Sequence, residues 1–306
     1  NAETGYSSPE DGNKKEDIPL ANLPADDDWI LNANYIDKTF MRHVFSYDLF
    51  RLMHPNNKAA QTSYVELTLN NEYQGLYVLM EKLDKSGLAV DGKDETAVIF
   101  KEPPLFRIDS FTPQNPTNYY QQVYPKIKKR DKTAFIQGIR HFLAESDELT
   151  FSKEVTSVFD IENIIDWHLL LLLTNNNDGI LKNFYLYKLD AITPLRIAPW
   201  DYDHSFGRDG DNELNLITRP LKLERSLLFL RLLKLNWYKK ALKNRWVMLN
   251  EQSLFTVAEL LKRVEAYQEK LTFLAPKNFD KWRVNNSFYY DDNTHEAEVE
   301  IIKKYI

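Results

Sequence analysis

The chain has 306 residues, 43% of them hydrophobic and 27% charged, with a formal net charge of −6. That is the balance of a globular protein long enough for one large domain or two packed lobes, and its acidic excess argues against non-specific nucleic-acid binding. Cysteine is absent, which excludes disulfides, a thiol nucleophile and cysteine-ligated metal centres.

Residues 1–28 read as irregular, because Gly5, Pro9, Gly12, Pro19 and Pro24 interrupt dense charge and no period of 2 or 3.6 is sustained. No apolar core of a signal peptide lies there. Trp29-Ile30-Leu31 resembles a short strand. Asp37-Lys38-Thr39 offers a helix start, with Phe40, Met41, Val44, Phe45, Leu49 and Leu52 following at helical spacing to an end near His54-Pro55. Alternation then predicts a hairpin: Tyr64–Leu69, a turn at Asn70-Asn71, and Tyr73–Leu83. Ala97–Lys101 reads as a third strand, closed by Glu102-Pro103-Pro104.

Pro113, Pro116 and Pro125 punctuate a loop-rich crossing. The one basic run, Lys126–Arg130, reads as a solvated surface segment rather than a patch for an acidic partner. Helices are expected at about 131–145, 160–174, 223–249 with breaks, and 253–274. Two short strands fall between them, Asn183–Lys188 and Leu195–Pro199. The most apolar window, Ile164–Leu173, is far shorter than the ~20 residues a membrane span needs, so it reads as a buried helix and no span is expected. The expected architecture is α+β: an irregular segment at 1–28, a β-rich part at 29–104 and a mainly helical part at 105–306.

Two patterns carry chemistry. The first is Asn175-Asn176-Asn177-Asp178-Gly179-Ile180-Leu181-Lys182-Asn183, following the buried helix and preceding a strand. Asp178 and Asn183 stand in the D-x-x-x-x-N spacing with which a kinase catalytic loop holds an acceptor-orienting aspartate and a magnesium-ligating asparagine on one short loop. Alone the spacing is weak, since Asp and Asn are common loop residues. The second is Pro199-Trp200-Asp201-Tyr202-Asp203-His204-Ser205-Phe206-Gly207. If the strand persists, alternation puts Asp201 and Asp203 on one face, and two adjacent carboxylates call for a cation. A solvent-facing turn capped by Asp203, or the metal site of a DxD glycosyltransferase, are the competing readings. The second fits poorly with a hairpin where alternating strands and helices would be needed.

The stretches DDDWILNANYIDKTFMRHVFSYDL, VELTLNNEYQGLYVLMEKLD, NNNDGILKNFYLYK and RIAPWDYDHSFG resemble, in this order, the motif blocks of the CotH (spore coat protein H) kinase family. Phe279-Asp280-Lys281-Trp282-Arg283 resembles that family's C-terminal D-x-x-W block. The resemblance runs from about Asp26 to Arg283. It implies a bilobal, atypical protein-kinase fold and ATP-dependent, Mg2+-dependent phosphorylation of a serine-rich protein acceptor. It implies Asp178 as the catalytic aspartate and Asp201 as the metal-binding one, with Asn183 at the second metal position. Asp203 is left between metal ligation and loop support. His204 is read as a hydrogen-bonding loop residue, and Arg42 and Asp48 as ion-pairing groups that hold the first helix.

One part of the family pattern is missing. A kinase needs a cation on the nucleotide phosphates, and upstream of Trp29 the chain offers only Lys14 and Lys15. Lys82 or Lys101, each at a strand end, are the alternative candidates, and Glu81-Lys82-Leu83 is a candidate adenine-contacting hinge. The rival to an active kinase is a non-catalytic structural or binding protein of the same fold. A secreted or envelope setting is expected, or the spore coat in a spore former.

Overall fold

A computed structural model describes residues 16–108, 121–208, 219–285, 287 and 291–306. Lys14, Lys15, Pro113 and Pro116 lie outside the described residues. The fold is α+β, as the sequence predicts.

The chain begins with a small hairpin, β1 (Ile18–Leu20) and β2 (Leu23–Asp26). This corrects the expectation of irregular chain through residue 28. The turn sits at Ala21-Asn22, both in left-handed backbone at φ 50° and 65°, and alanine there gives no turn signal.

β3 (Trp29–Asn32), β4 (Thr62–Leu69) and β5 (Glu72–Glu81) form an antiparallel sheet in the order β3-β5-β4. The expected turn is present: Asn70 and Asn71 have φ 51° and 64°, the left-handed pair that a two-residue hairpin turn requires. Between β3 and β4 lies α1 (Arg42–Met53). It starts later than the sequence suggests because Asp37 does not cap it. The Asp37 carboxylate instead accepts bonds from the Thr39 and Arg42 backbone N–H groups and from the Arg42 guanidinium.

β6 (Val98–Lys101) falls in the first part of the sequence but hydrogen-bonds to the second. It pairs with β7 (Gln121–Tyr124) and β8 (Phe184–Lys188), and β9 (Arg196–Pro199) completes a sheet of order β7-β6-β8-β9. Around it lie α2 (Thr133–Glu145), α3 (Glu148–Val158) and α4 (Ile161–Thr174), then α5 (Leu227–Leu232), α6 (Asn236–Glu251), α7 (Val257–Leu271), α8 (Leu274–Lys281) and α9 (His295–Tyr305). β7, α3, α8 and α9 are not anticipated by the sequence reading. α3 and α9 nonetheless carry side-chain caps, Asp147 on the Thr150 N–H and Thr294 on the Ala297 N–H.

The core runs continuously from α1 to α4, with Phe45, Leu49, Trp167 and Leu170 fully enclosed. α4 is buried on almost every side, as its unbroken apolar run demands. It starts at the Asp160 cap, which accepts from the Asn163 N–H, and stops at Asn175, held at φ 49°. That left-handed stop aims the next residues out of the helix into the Asp178 loop. No described helix is long and apolar enough to cross a membrane.

Candidate active site

Asp178 opens a single 3-10 turn, Asp178–Ile180. The preceding asparagines build its frame. Asn176 Oδ1 accepts from the Gly179 N–H at 2.8 Å, Asn175 Nδ2 donates to the Arg219 carbonyl at 3.1 Å, and Asn177 Oδ1 accepts from the Lys222 N–H at 2.9 Å. Gly179 is required by space: a Cβ there would come within 2.8 Å of Leu171 Cδ2.

A lysine and a histidine flank the Asp178 carboxylate. Lys182 Nζ lies at 2.9 Å and His204 Nδ1 at 3.8 Å from Oδ2. Their attraction, His204 first and Lys182 next, outweighs partial burial and holds Asp178 down at about 2. His204 moves the other way. Burial alone would lower it, but Asp178, Asp203 and Asp201 together raise it above the ordinary histidine range.

Those three carboxylates around one imidazole bring the two sequence patterns together. β8 and β9 pair Phe184 with Pro199, which sets Asn183 beside Trp200 and Asp201. The Trp200 N–H donates to the Asn183 carbonyl, and Asn183 Nδ2 donates to the Asp201 carbonyl, each at 2.9 Å. Both Asn183 (φ 61°) and Asp201 (φ 57°) are left-handed. For an aspartate that conformation is uncommon, and β9 has already ended at Pro199, so it is a turn rather than strand alternation that sets Asp201 and Asp203.

Asp201 and Asp203 nevertheless converge, with His43, so that ligand atoms of all three lie within 4.8 Å of one another. The Asp201 carboxyl is raised by burial and then by the Asp203 charge, against weaker opposition from His43 and His204. A divalent cation would remove that strain, and hard carboxylate oxygens suit magnesium. His43 fits the donor role rather than ligation. Its Nδ1 accepts from the Tyr202 N–H at 2.9 Å, which leaves the neutral ring's proton on Nε2, facing Asp201 Oδ1 at 3.9 Å. Asp201 and Asp203 could hold such an ion, and the Asn183 carboxamide stands beside them with its Nδ2 on the Asp201 carbonyl.

α1 clamps this loop from beneath. One turn after His43, Tyr47 Oη accepts the Asp201 N–H at 2.9 Å, and the Tyr47 ring stacks on Trp200. His43 and Tyr47 are buried. The sequence reading missed both, although they stand at i, i+4 spacing within the first family block.

The nucleotide candidates divide. Lys101 reaches the site's edge, with Nζ over the Trp200 ring at 5.5 Å and near Tyr185 at 6.0 Å. Lys82 is tied to Asp28 at 2.8 Å and faces Asp84 at 4.0 Å. The Glu81 carboxylate turns to the Gln61 backbone and side-chain N–H groups, and the main chain of the hinge candidate is engaged as well, the Glu81 N–H on the Gln61 carbonyl and the Lys82 carbonyl with the Asp84 N–H. Leu83 is buried.

The ion pairs expected on α1 exist with other partners. Asp48 pairs with Arg51 and accepts from Tyr267 Oη. Arg42 is wholly buried between Asp37 and Glu298 of α9, at 2.6 and 3.1 Å, and its Nε donates to the Ser205 carbonyl. Arg208 joins Glu298 to Asp291, and Lys38 also bonds Asp291. Lys38, Arg42 and Arg208 thus face Asp37, Asp291 and Glu298 in one buried network that closes on the loop after Asp203.

The CotH kinase protein family model matches residues 7–306. The inner spore coat protein H of Bacillus subtilis (strain 168) is 25% identical over 245 residues, covering 79% of this chain and 67% of that protein. With the match running almost end to end, the chain belongs to the CotH kinase protein family.

Proposed function

We propose that this protein is an ATP- and Mg2+-dependent protein kinase that phosphorylates serine or threonine hydroxyls of a protein acceptor. The observation that carries the reading is the gathering of Asp178, Asp201 and Asp203 around His204, with Asn183 bonded to Asp201. That layout separates an acceptor-positioning acid from a cation-binding set, the division of labour that phosphoryl transfer requires. In kinase terms β3–β5 with α1 form the smaller lobe and the β6–β9 sheet with its helices the larger.

Asp178 is a carboxylate at neutral pH, and its low value makes it a weak base. Its task is to accept the hydroxyl's hydrogen bond and aim the oxygen at the terminal phosphorus. The oxygen–phosphorus bond to ADP breaks as the new one forms, and the hydroxyl proton leaves toward Asp178. A bound magnesium ion would supply charge neutralisation on the phosphates, held by Asp201, Asp203 and Asn183. Lys101 is the strand lysine placed to add positive charge at the same edge.

The Bacillus relative is named for the inner spore coat. In a spore-forming source we place this chain in the same setting, with a serine-rich coat protein as acceptor.

The test is incubation with labelled ATP, magnesium and a serine-rich polypeptide. Label transfer that needs the metal and disappears in both Asp178→Asn and Asp201→Asn is the expected result. Nucleotide binding without transfer to any hydroxyl acceptor would favour a silent coat component with the same fold.

A further inference from the structure

Between Gly179 and Gly207 the chain has no glycine. The turn after β9 nevertheless enters left-handed backbone twice, at Asp201 (φ 57°) and Phe206 (φ 47°). For an aspartate that state is uncommon, and for a bulky phenylalanine it is an outlier. Such conformations persist only where the surroundings over-determine them. Most of those surroundings come from one element, α1.

Tyr47 Oη accepts the Asp201 N–H and His43 Nδ1 accepts the Tyr202 N–H, both at 2.9 Å, so two successive backbone donors are held by side chains one helical turn apart. Arg42 Nε donates to the Ser205 carbonyl at 2.9 Å. The Phe45 ring stacks on Phe206 with centroids 4.7 Å apart. Arg42, His43, Phe45 and Tyr47 are all buried, as are Tyr202, Ser205 and Phe206. The Asp201 side chain, by contrast, is half exposed, and its carboxylate stands 3.9 Å from His43 Nε2, beyond a direct hydrogen bond. Its direction is therefore set by the backbone that α1 holds.

We infer that His43 and Tyr47 are positioning residues: by keeping Asp201 left-handed they aim its carboxylate toward Asp203 and set the affinity of the cation site. The inference rests on the proposed reading of Asp201 and Asp203 as the groups that hold the ion. Relaxation of Asp201 to the negative φ that side chains prefer would turn its carboxylate away and break up the pair that an ion must share. Neither His43 nor Tyr47 has to touch the ion. Tyr47→Phe isolates the effect, because the ring keeps its stacking on Trp200 and His43 and only the acceptor for the Asp201 N–H is lost.

The experiment is titration of the whole chain with Mn2+, which shares the oxygen-ligand preference of magnesium and whose free form is read by electron paramagnetic resonance. Nucleotide and acceptor are left out, so the readout does not depend on kinase activity. Wild type is expected to bind Mn2+ at a site that Asp201→Asn loses. Tyr47→Phe should weaken that binding about tenfold with the number of sites unchanged, whereas a merely structural defect would remove sites and leave the affinity of the rest. His43→Leu should weaken binding similarly. His43→Asn, whose Oδ1 can accept the Tyr202 N–H in place of Nδ1, should recover most of the affinity. Wild-type affinity in Tyr47→Phe, fewer sites at unchanged affinity, or no recovery in His43→Asn over His43→Leu would each overturn the inference. Mn2+ binding absent from wild type, or untouched by Asp201→Asn, would strike the cation site itself and take this inference with it.

Discussion

The molecule contains two dense collections of charge, and they obey opposite rules. In the network behind α1, three cations (Lys38, Arg42, Arg208) meet three anions (Asp37, Asp291, Glu298), most of them fully enclosed. Burial alone would raise Asp37 and Asp291, but Arg42 with Thr39, and Lys38 with Arg208, hold both below the ordinary range. In the candidate site, among the described residues, Asp178, Asp201 and Asp203 are faced by Lys182, His43 and His204, and Asp201 is raised instead. A balanced set stabilises the folded chain. An unbalanced one is held in place by the rest of the structure, and on the proposed reading a bound cation completes it.

The sharpest way to break that contrast is to unbalance the first set. Arg42→Ala removes the guanidinium that bonds Asp37, Glu298 and the Ser205 carbonyl together, leaving buried Asp37 without its counter-charge and Glu298 with Arg208 as its remaining cation among the described residues. The loss should be about 3–5 kcal/mol, read as a fall in denaturant midpoint. A change of less than 1 kcal/mol would show that the network is not structural.

Asp178→Asn tests the second set at its catalytic end. On the proposed reading, transfer should fall by about 10²-fold or more, while magnesium–nucleotide affinity stays close to wild type because that reading assigns the cation to Asp201 and Asp203. Abolished nucleotide binding, measured by calorimetry, would reverse the roles assigned to Asp178 and Asp201.

The two sets also differ in how far they could be read from sequence. The candidate site residues are close in the chain: Asp178 to Asn183 is one turn and a loop, and Asp201 to Asp203 one bend, so local spacing was enough to nominate them. The hairpin was equally legible, because Asn70-Asn71 is a local turn signal between alternating strands. The network is invisible to local patterns, since Lys38 reaches Asp291 and Arg42 reaches Glu298 across 253 and 256 residues. Only the fold brings α9 to α1. His43 was missed for a related reason: its importance comes from Tyr202, 159 residues away, and a lone histidine in a helix gives no hint of that.

Acid separates the sets by sign. Asp37 and Asp291 are depressed in the folded state, Asp291 to about 2. Their contribution is complete above the unfolded aspartate value of about 3.9 and is lost as pH falls through the folded values. Stability should therefore decline between about pH 4 and pH 2, and Asp291→Asn should flatten that decline. A variant with the wild-type acid slope would exclude Asp291 as a contributor.

The smallest effect is the one that bears most directly on the comparison. A raised carboxyl works in the other direction: Asp201 contributes less to stability once pH rises through its folded value, so at neutral pH its charge is a burden to the metal-free protein. The bonds that hold its loop are made by backbone, the Asp201 N–H to Tyr47 and the Asp201 carbonyl to Asn183, and Asn at this position keeps them. Asp201→Asn should therefore raise the metal-free melting temperature slightly, by about 1–3 °C for a gain of under 1 kcal/mol. Adding magnesium and nucleotide should reverse the order, because only wild type gains the linkage stabilisation of a bound ligand. Scanning calorimetry of both proteins, with and without magnesium–ATP, decides it. A metal-free variant less stable than wild type would mean that Asp201 is already compensated by its neighbours, and the site would then belong with the balanced network rather than opposite it.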